Sequence, residues 1–341
     1  MVKFNFLINS PGAKIVRIGS LSQHSSFAFL AFFICVIAGF TACTKQAEFA
    51  GQTETASATS SGKITSAEDQ ALKKHPTIKE CDKWKKKQPE CIFCDDFEST
   101  DPLIGEGRYF EYNNDAGEFI PMDSAGVKGS RGMRVKWQAG EVDAGNFKLG
   151  FGRQSDPYMD KGIRNTEDFR EIYYRMYVKM QAGWTGNPQK LSRATILETN
   201  WAQPMIAHLW QGNGNTLGMD PVRGTDLSGN VVTTGYNDFA NFTWLGYKSG
   251  TTPVFDASNA DKWYCIESHV KLNDPGQSNG IQEFWVDGKL EARSDNLNFV
   301  SSYTAYGINN IFFENFWNSG SPQVQERYFD NIVVSTARIG F

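Results

Sequence analysis

Residues 263–290 decide the fold, and they read WYCIESHVKLNDPGQSNGIQEFWVDGKL. Apolar and polar side chains alternate between Ile266 and Leu272, which predicts a β-strand with one apolar face and one polar face. Asp287 and Gly288 offer the two positive-φ residues that a type I′ hairpin turn requires. The stretch therefore predicts neighbouring strands of a long antiparallel sheet.

The rest of the domain shows the same pattern of short strands with turn signals between them. A content of 13% aromatic residues and 32 glycines suits sheets and their turns. One short helix is expected near 78–87, and residues 212–261, rich in Gly, Thr and Asn, are expected to form long loops. The pattern predicts strands at about 92–98, 107–112, 132–138, 147–152, 171–180, 193–200, 205–211, 263–272, 281–287, 289–293, 309–317 and 327–335.

The N-terminal residues indicate export. The first 42 residues carry three basic residues and no acidic one, and residues 27–39 form an apolar run too short to cross a bilayer. The next four residues, Phe-Thr-Ala-Cys, resemble a bacterial lipobox that ends at Cys43. We expect residues 1–42 to be a lipoprotein-type signal peptide, Cys43 to carry a lipid anchor, and Thr44 to favour the outer membrane. A plain secreted protein is the alternative.

Residues 43–75 are rich in Ala, Ser, Thr, Gln and Glu, which predicts a flexible tether before a domain at 76–341. Removing residues 1–42 removes three positive charges, so the formal net charge falls from −4 to −7. A mildly acidic chain without a basic, aromatic-rich patch in its folded part predicts no nucleic-acid partner. We expect a monomer.

Four cysteines remain in the domain, and an even number in an exported chain predicts two disulfides with three possible pairings. Of these pairings we favour Cys81 with Cys91, which closes a local loop, and Cys94 with Cys265, which joins the first strand to a central one. A zinc site is not predicted, because the Cys91-x-x-Cys94 spacing lacks a second close pair.

Four segments resemble a known family. Residues 263–290, INNIFFENFWNSGSP at 308–322 and YFDNIVVS at 328–335 resemble the C-terminal half of the concanavalin-A-like polysaccharide lyases, the alginate and glucuronan lyase group. CDDFES at 94–99 resembles the opening of the same domain. The resemblance covers about residues 90–341 and implies an all-β, concanavalin-A-like jelly-roll β-sandwich of two antiparallel sheets.

The resemblance also implies an activity, which is the cleavage of a uronate-containing anionic polysaccharide by β-elimination. Sandwiches of this kind host hydrolases and plain sugar binders as well. A non-catalytic carbohydrate-binding surface lipoprotein and a glycoside hydrolase therefore remain as alternatives. The sequence has no Gly-x-Ser-x-Gly, phosphate-binding, His-Glu-x-x-His or dinucleotide motif, which excludes most serine esterases, nucleotide enzymes and zincins.

One predicted strand carries a candidate site on its polar face. Tyr173, Arg175 and Tyr177 lie two residues apart and therefore share a face. Arg can neutralise a sugar carboxylate, and Tyr can stack on a sugar and transfer a proton. The alternative is an ordinary solvated sheet face.

Two histidines are candidate general bases near neutral pH, although a lone histidine more often has a structural hydrogen bond. His208 shares a face with Trp210, and His269 shares a face with Glu267 and Lys271. The polar face around His269 is interpreted as one wall of a groove opposite the wall formed by 173–177. Further binding candidates on central strands are Glu198 and Glu283.

Lyases that this chain resembles must neutralise the uronate carboxylate, remove the C5 proton and protonate the departing C4 oxygen. The resemblance implies Arg175 or Arg193 for the first task and His208 or Lys190 for the second. Tyr173 or Tyr177 would take the third. Lys190 begins a segment where these lyases carry a Lys-Leu-Pro-Gly-like sequence, but Ser192 and Arg193 stand in place of the Pro and Gly.

The resemblance further suggests a structural calcium ion. Glu98, after the opening Asp-Phe, and Asp330, in the closing Phe-Asp-Asn, would lie on neighbouring first and last strands. Carboxylate oxygens suit calcium. The alternative is that both acids cap turns or meet Arg or Lys.

Overall fold

The computed structural model describes residues 78–341. The predicted signal peptide, Cys43 and the tether at 43–75 lie outside the described residues. Within residues 78–341, no helix is long and apolar enough to cross a membrane.

The described residues form two antiparallel sheets of eight strands each. Sheet A contains, in spatial order, β14 (Lys289–Leu297), β13 (Gly280–Val286), β12 (Tyr264–Lys271), β6 (Glu171–Met180), β16 (Gln325–Ser335), β4 (Gly132–Trp137) and β3 (Phe119–Met122), with β1 (Cys91–Asp95) also paired to β16. Sheet B contains β10 (Thr243–Trp244), β9 (Leu217–Arg223), β8 (Met205–Gln211), β7 (Lys190–Ile196), β15 (Asn310–Phe316), β5 (Asp143–Gly150) and β2 (Glu111–Asn113), with β11 (Lys248–Ser249) also paired to β9.

Helical structure is sparse. The α-helix α1 spans Trp84–Lys87, within the range where a short helix is predicted. Short 3₁₀ helices lie at Asp115–Gly117, Val127–Gly129, Thr199–Trp201, Phe239–Asn241 and Ala257–Asn259. The prediction of an all-β, concanavalin-A-like jelly-roll sandwich of two antiparallel sheets is therefore confirmed.

One continuous core fills the space between the sheets. On β6, the alternate residues Tyr174, Met176 and Val178 are fully buried in this core, as the period of two predicts. The residues between them therefore lie on the outer face of sheet A. The same alternation directs Arg193 and His208 of sheet B outwards, while their strand neighbours enter the core.

The hairpin between β13 and β14 has the predicted turn. Asp287 and Gly288 have φ angles of 49° and 77°, and Val286 pairs with Lys289 across them. Both central residues are thus in the left-handed region, as a type I′ turn requires. The Asp287 carboxylate also accepts a hydrogen bond from the Cys265 N–H at 2.8 Å, which ties the turn to β12.

Strand β9 lies where the sequence predicts only loops. Gly218 and Pro221 interrupt its apolar pattern, and both residue types weaken a strand signal. Pro221 is nevertheless paired with Ala207 of β8. The prediction of unbroken loops between 212 and 261 is therefore wrong, and β10 and β11 also fall in this range.

The favoured disulfide pairings are wrong. Cys81 is bonded to Cys94, while Cys91 and Cys265 are free and buried. Three strand spacings, from β12 through β6 and β16 to β1, separate Cys265 from Cys94. Since neighbouring strands lie about 4.8 Å apart, these Cα atoms are far beyond the roughly 7 Å limit of a disulfide. A bulge in β1 places Cys91 and Cys94 in one cluster with Cys81, and Cys94 makes the bond.

Candidate functional site

The sequence-predicted residues divide between the outer faces of opposite sheets. Arg175 and His269 lie outside sheet A, whereas Lys190, Arg193 and His208 lie outside sheet B. Stacked sheets are about 10 Å apart even before their outward side chains are counted. Arg175 and His269 therefore cannot converge with His208 in one cleft.

On sheet A, Arg175 is covered by the two ends of the described chain. It is 2% exposed, and it donates to Glu80 Oε2 at 2.5 Å and to the Gly340 carbonyl at 3.3 Å. Glu267, its direct neighbour on β12, accepts hydrogen bonds from the Ile339 and Gly340 N–H groups at 2.7 and 3.2 Å. Both terminal nitrogens of Arg175 are therefore already hydrogen-bonded within the protein and are not free to bind a sugar carboxylate.

Tyr177 and Tyr173 lie on either side of Arg175 on the same strand. Tyr177 is buried and lines a cavity of about 300 Å³ together with Trp263, Cys265 and Phe341. Tyr173 stacks on His269, with ring centroids 4.1 Å apart. The two predicted walls of a groove are thus adjacent strands of one sheet, so the interpretation of two opposing walls is wrong.

His269 is held by carboxylates on both sides. Its Nδ1 lies 2.7 Å from Glu283 Oε1, and its Nε2 lies 2.8 Å from Glu171 Oε1. Arg293 and Lys271 extend this network through Glu283 and Glu171 respectively. With both ring nitrogens engaged, His269 has no free nitrogen for proton abstraction, and the structural alternative fits it better.

On sheet B, Arg193 organises a buried cluster. It is 1% exposed and donates to Asn237 Oδ1 and Glu314 Oε1, both at 2.6 Å, and to the Tyr236 hydroxyl. The Tyr236 hydroxyl in turn donates to Glu314 Oε1 at 3.2 Å. Burial raises the pKa of Tyr236 above its usual value, so this hydroxyl keeps its proton.

The loop that carries Tyr236 is fixed to sheet B by hydrogen bonds of its next residue, Asn237. The Asn237 N–H donates to Gln203 Oε1 at 2.8 Å, and Gln203 is itself fully buried. Arg193 holds the Asn237 side chain from β7. These contacts place a phenol over the outer face of sheet B.

A pocket of about 290 Å³ opens beside this cluster. Lys190 Nζ lies 3.7 Å from Glu314 Oε1, a distance longer than a hydrogen bond, and burial lowers the pKa of Lys190 below its usual value. Lys148 is ion-paired with Glu111 and lies over the ring of Phe312. The pocket is lined by Asp143, Asn146, Lys148, Lys190, Tyr236, Asn237, Glu314 and Phe316.

His208 is the cross-strand neighbour of Arg193 and has one engaged nitrogen. Its Nδ1 lies 2.9 Å from the Asp220 carbonyl oxygen, and because a carbonyl only accepts, Nδ1 carries the proton. Its Nε2 therefore holds a lone pair and has no hydrogen-bond partner among the described residues. Burial, with Arg193 as the next cause, lowers the pKa of His208 to about 3. The imidazole is neutral at pH 7.

Aromatic rings continue the surface beyond His208. The rings of His208 and Trp210 stack 4.1 Å apart at 15°, and those of Trp210 and Trp244 lie 6.1 Å apart at 26°. Phe239 lies 6.1 Å from Trp244 at 12°. Trp210, which was expected to share a face with His208, therefore belongs to a row of nearly parallel rings.

The sequence pattern did not predict Glu314 or Tyr236 as site residues, for different reasons. Glu314 sits on β15 between Phe313 and Asn315, and its parity with Phe312 would have placed it on the outer face. Tyr236 lies in a loop without periodicity, so no local signal marks it. Glu198, a predicted binding residue, lies just beyond β7, where its carboxylate accepts a hydrogen bond from the Tyr303 hydroxyl.

The donor set around Glu98 and Asp330 does not fit calcium. Asp330 Oδ2 accepts hydrogen bonds from the Val127 N–H at 2.7 Å and the Ser130 hydroxyl at 3.1 Å. Glu98 Oε1 accepts from the Arg131 N–H at 2.8 Å. Both acids thus support the turn before β4, which was the alternative. The one group of three carboxylates close enough to hold a cation within residues 78–341 includes neither of them and consists of Asp115, Glu118 and Glu141.

A family model described as Polysaccharide lyase 14 matches residues 255–332. The match confirms the resemblance to polysaccharide lyases that the sequence of this segment predicts. The segment contains Glu314, but Lys190, Arg193, His208 and Tyr236 lie before it.

Solved structures of lyases resemble this chain at low identity. An endo-β-1,4-glucuronan lyase from the fungus Trichoderma reesei is 12% identical, with a TM-score of 0.48, over 72% of this chain and 96% of that one. An alginate lyase from Aplysia kurodai is 13% identical, with a TM-score of 0.49, over 72% and 99%. An alginate lyase from Chlorella virus is 14% identical, with a TM-score of 0.45, over 64% and 89%. No curated protein matches this chain in sequence.

Proposed function

We propose that the protein is an exported lyase that cleaves a uronate-containing polysaccharide by β-elimination on the outer face of sheet B. One observation carries the proposal. Lys190 and Tyr236 line the pocket as a cation and a protonated phenol, and on the neighbouring strand His208 carries a buried Nε2 that has no hydrogen-bond partner among the described residues. These are the three kinds of group that the reaction needs.

The first task is to neutralise the sugar carboxylate, because this acidifies the proton on C5. Lys190 is suited to it, since its ammonium group is only loosely held by Glu314 and lines the pocket. Arg193 already donates from its two terminal nitrogens to Asn237, Glu314 and Tyr236, so its role is to position the phenol.

The second and third tasks are proton transfers. His208 Nε2 accepts the C5 proton, and the electron pair of the broken C5–H bond forms the C4–C5 double bond. The bond between C4 and the bridging oxygen breaks, and the Tyr236 hydroxyl gives its proton to that oxygen. The products are an unsaturated uronate end and a free hydroxyl on the departing sugar. Tyr236 replaces the predicted Tyr173 and Tyr177 in this scheme.

Non-catalytic carbohydrate binding is the second candidate, and one observation favours it. Burial lowers the pKa of His208 to about 3, which makes it a weak base until a substrate carboxylate lies near it. A surface that holds glycan without cleaving it would keep the aromatic row and would not need the free Nε2.

Export and anchoring are part of the proposal and rest on residues 1–43. The disulfide between Cys81 and Cys94 supports an oxidising compartment. Replacing Cys43 by Ala should abolish incorporation of radiolabelled palmitate in a bacterial host. Labelling that persists would favour another attachment.

The activity is tested with a matched pair of tyrosine variants. Wild-type protein is incubated with polyuronates, and ultraviolet absorbance reports the unsaturated uronate. We expect Tyr236→Phe to lower the rate at least about 100-fold, because it removes the proton donor while keeping the ring. Tyr173→Phe makes the same change on sheet A and should leave the rate unchanged.

Equal rates in the two variants would exclude Tyr236 as the acid. No absorbance change in the wild type, together with retention on a polyuronate gel, would establish the binding protein instead.

A further inference from the structure

The outer face of sheet B is divided by charge. Lys148 of β5 and Lys190 and Arg193 of β7 supply its cations. The described strands β8, β9 and β10 place no Lys or Arg on this face. Their outward residues are instead Ile206, His208, Trp210, Gly218, Asp220, Val222 and Trp244. The boundary runs between β7 and β8, where Lys190 is the cross-strand neighbour of Trp210.

The part of this face formed by β8, β9 and β10, which has no cations, carries exposed aromatic rings. Trp244 and Tyr247 are 46% and 40% exposed. Tyr247 lies directly on Gly218, because a Cβ atom added to Gly218 would come within 2.8 Å of the Tyr247 ring. Gly218 is the cross-strand neighbour of Trp210, so the Tyr247 ring lies over the position next to Trp210, whose ring centroid is 6.1 Å from that of Trp244. These three rings together are the platform.

The same side repels carboxylates. Asp220 lies opposite His208 on β9, and burial raises the pKa of its carboxyl to about 6. Above that pH it carries a negative charge beside the platform. A uronate seated there would meet this charge without a compensating cation, whereas an uncharged sugar ring would not.

We propose that the platform of Trp210, Trp244 and Tyr247 binds an uncharged sugar next to the uronate held at Lys190. Apolar C–H faces of a pyranose ring suit flat aromatic surfaces, and the platform joins the cationic pocket at β7 and β8. The substrate class is then a heteropolymer in which uronates alternate with sugars that lack a carboxylate. This inference rests on the proposed function and narrows its substrate.

The test compares affinities for two kinds of polymer. Homopolymers are polyglucuronate and polymannuronate, and alternating polymers are glucuronate–N-acetylglucosamine and galacturonate–rhamnose. We expect the wild type to bind at least one alternating polymer about tenfold more tightly than either homopolymer, as measured by calorimetric titration.

Trp244→Ala should remove this preference and leave affinity for homopolymers unchanged, while Trp244→Phe should retain most of it. Leu290→Ala is the matched control, because Leu290 is 47% exposed and lies on β14 of sheet A. Gly218→Val, which displaces the Tyr247 ring, should weaken the preference independently. Unfolding midpoints of all variants establish that they are folded.

Three outcomes would overturn the inference. If the wild type binds or cleaves homopolymers and alternating polymers equally, the inference is overturned but the proposed lyase function is not. If Trp244→Ala loses affinity equally for both polymer types, the platform stacks on sugars without distinguishing uncharged sugars from uronates. A wild type that neither binds nor cleaves any uronate polymer would remove the proposed function as well.

Discussion

His208 combines burial, ring stacking and hydrogen bonding on one side, and together these set its protonation state. It is 3% exposed, it stacks on Trp210, and its Nδ1 donates to the Asp220 carbonyl. Its positively charged neighbour Arg193 adds to the burial in lowering its pKa to about 3. The buried Nε2 therefore keeps its lone pair over the whole pH range in which the protein would work.

The low pKa of His208 predicts how the stability depends on pH. The folded pKa lies below the unfolded value of about 6.5, so the folded protein binds fewer protons. The stabilisation is present above pH 6.5 and is lost as the pH falls toward 3. Between pH 7 and pH 4.5, the wild type should lose roughly 2–3 kcal/mol of unfolding free energy more than His208→Gln loses.

Urea unfolding at the two pH values measures this difference. His269→Gln is the control, since His269 is equally buried but lies between two carboxylates on sheet A. The same pH dependence in wild type and His208→Gln would show that His208 is not a neutral buried base.

At the scale of single elements, the segment before β1 is fixed to the sandwich by a covalent bond and an ion pair. Cys81 is bonded to Cys94 of β1, and Glu80 meets Arg175 of β6. A disulfide that spans 13 residues restricts the unfolded chain and contributes about 3 kcal/mol on the chain-entropy estimate.

Replacing Cys81 and Cys94 together by Ser should therefore lower the unfolding free energy by about 3 kcal/mol. A reducing agent should have the same effect on the wild type and on Cys91→Ser, but none on the double variant. Unfolding curves with and without the reducing agent check this. Loss of reductant sensitivity in Cys91→Ser would mean that Cys91 makes the bond.

The sequence predicts most elements of this fold, because alternation is a local signal. The bounds of β6 and β8 agree with the predicted ranges 171–180 and 205–211. Alternation also tells which residues share a face. It does not tell whether that face is open, and the outer face of β6 is covered by residues more than 90 positions away, such as Glu80 and Gly340.

The candidate site was only partly predictable from the sequence, for the same reason. Arg193, His208 and Lys190 were identified because they lie on regular strands. Tyr236 reaches them from a loop. Its hydroxyl accepts a hydrogen bond from Arg193, and the N–H of the next residue, Asn237, donates to Gln203, so these are contacts between distant residues. Such contacts leave no periodic trace in the sequence.

Across the whole molecule, the two outer faces are built differently. On the outer face of sheet A, Arg175 and Glu267 are covered by an ion pair and backbone hydrogen bonds, while the outer face of sheet B carries the pocket beside Lys190 and the aromatic row. A buried ion pair that loses one partner leaves the other charge poorly solvated. Substitutions on the outer face of sheet A should therefore change stability, whereas substitutions on the outer face of sheet B should change activity.

Arg175→Ala should lower the unfolding free energy by about 3 kcal/mol, because it leaves the Glu80 carboxylate without its partner. Lyase activity or glycan binding per folded molecule should stay unchanged. Lys271→Ala, on the same face but exposed, should change stability by less than about 0.5 kcal/mol. Chemical unfolding and activity assays on the same samples measure both quantities. Lost activity in a folded Arg175→Ala protein would return sheet A to the functional site.

The contact between Glu80 and Arg175 has a consequence for how a long glycan is approached. It fixes the start of the described chain on the side of the sandwich away from the pocket. A polymer many times longer than the pocket can therefore lie across sheet B without meeting residues 78–80, where the described chain starts.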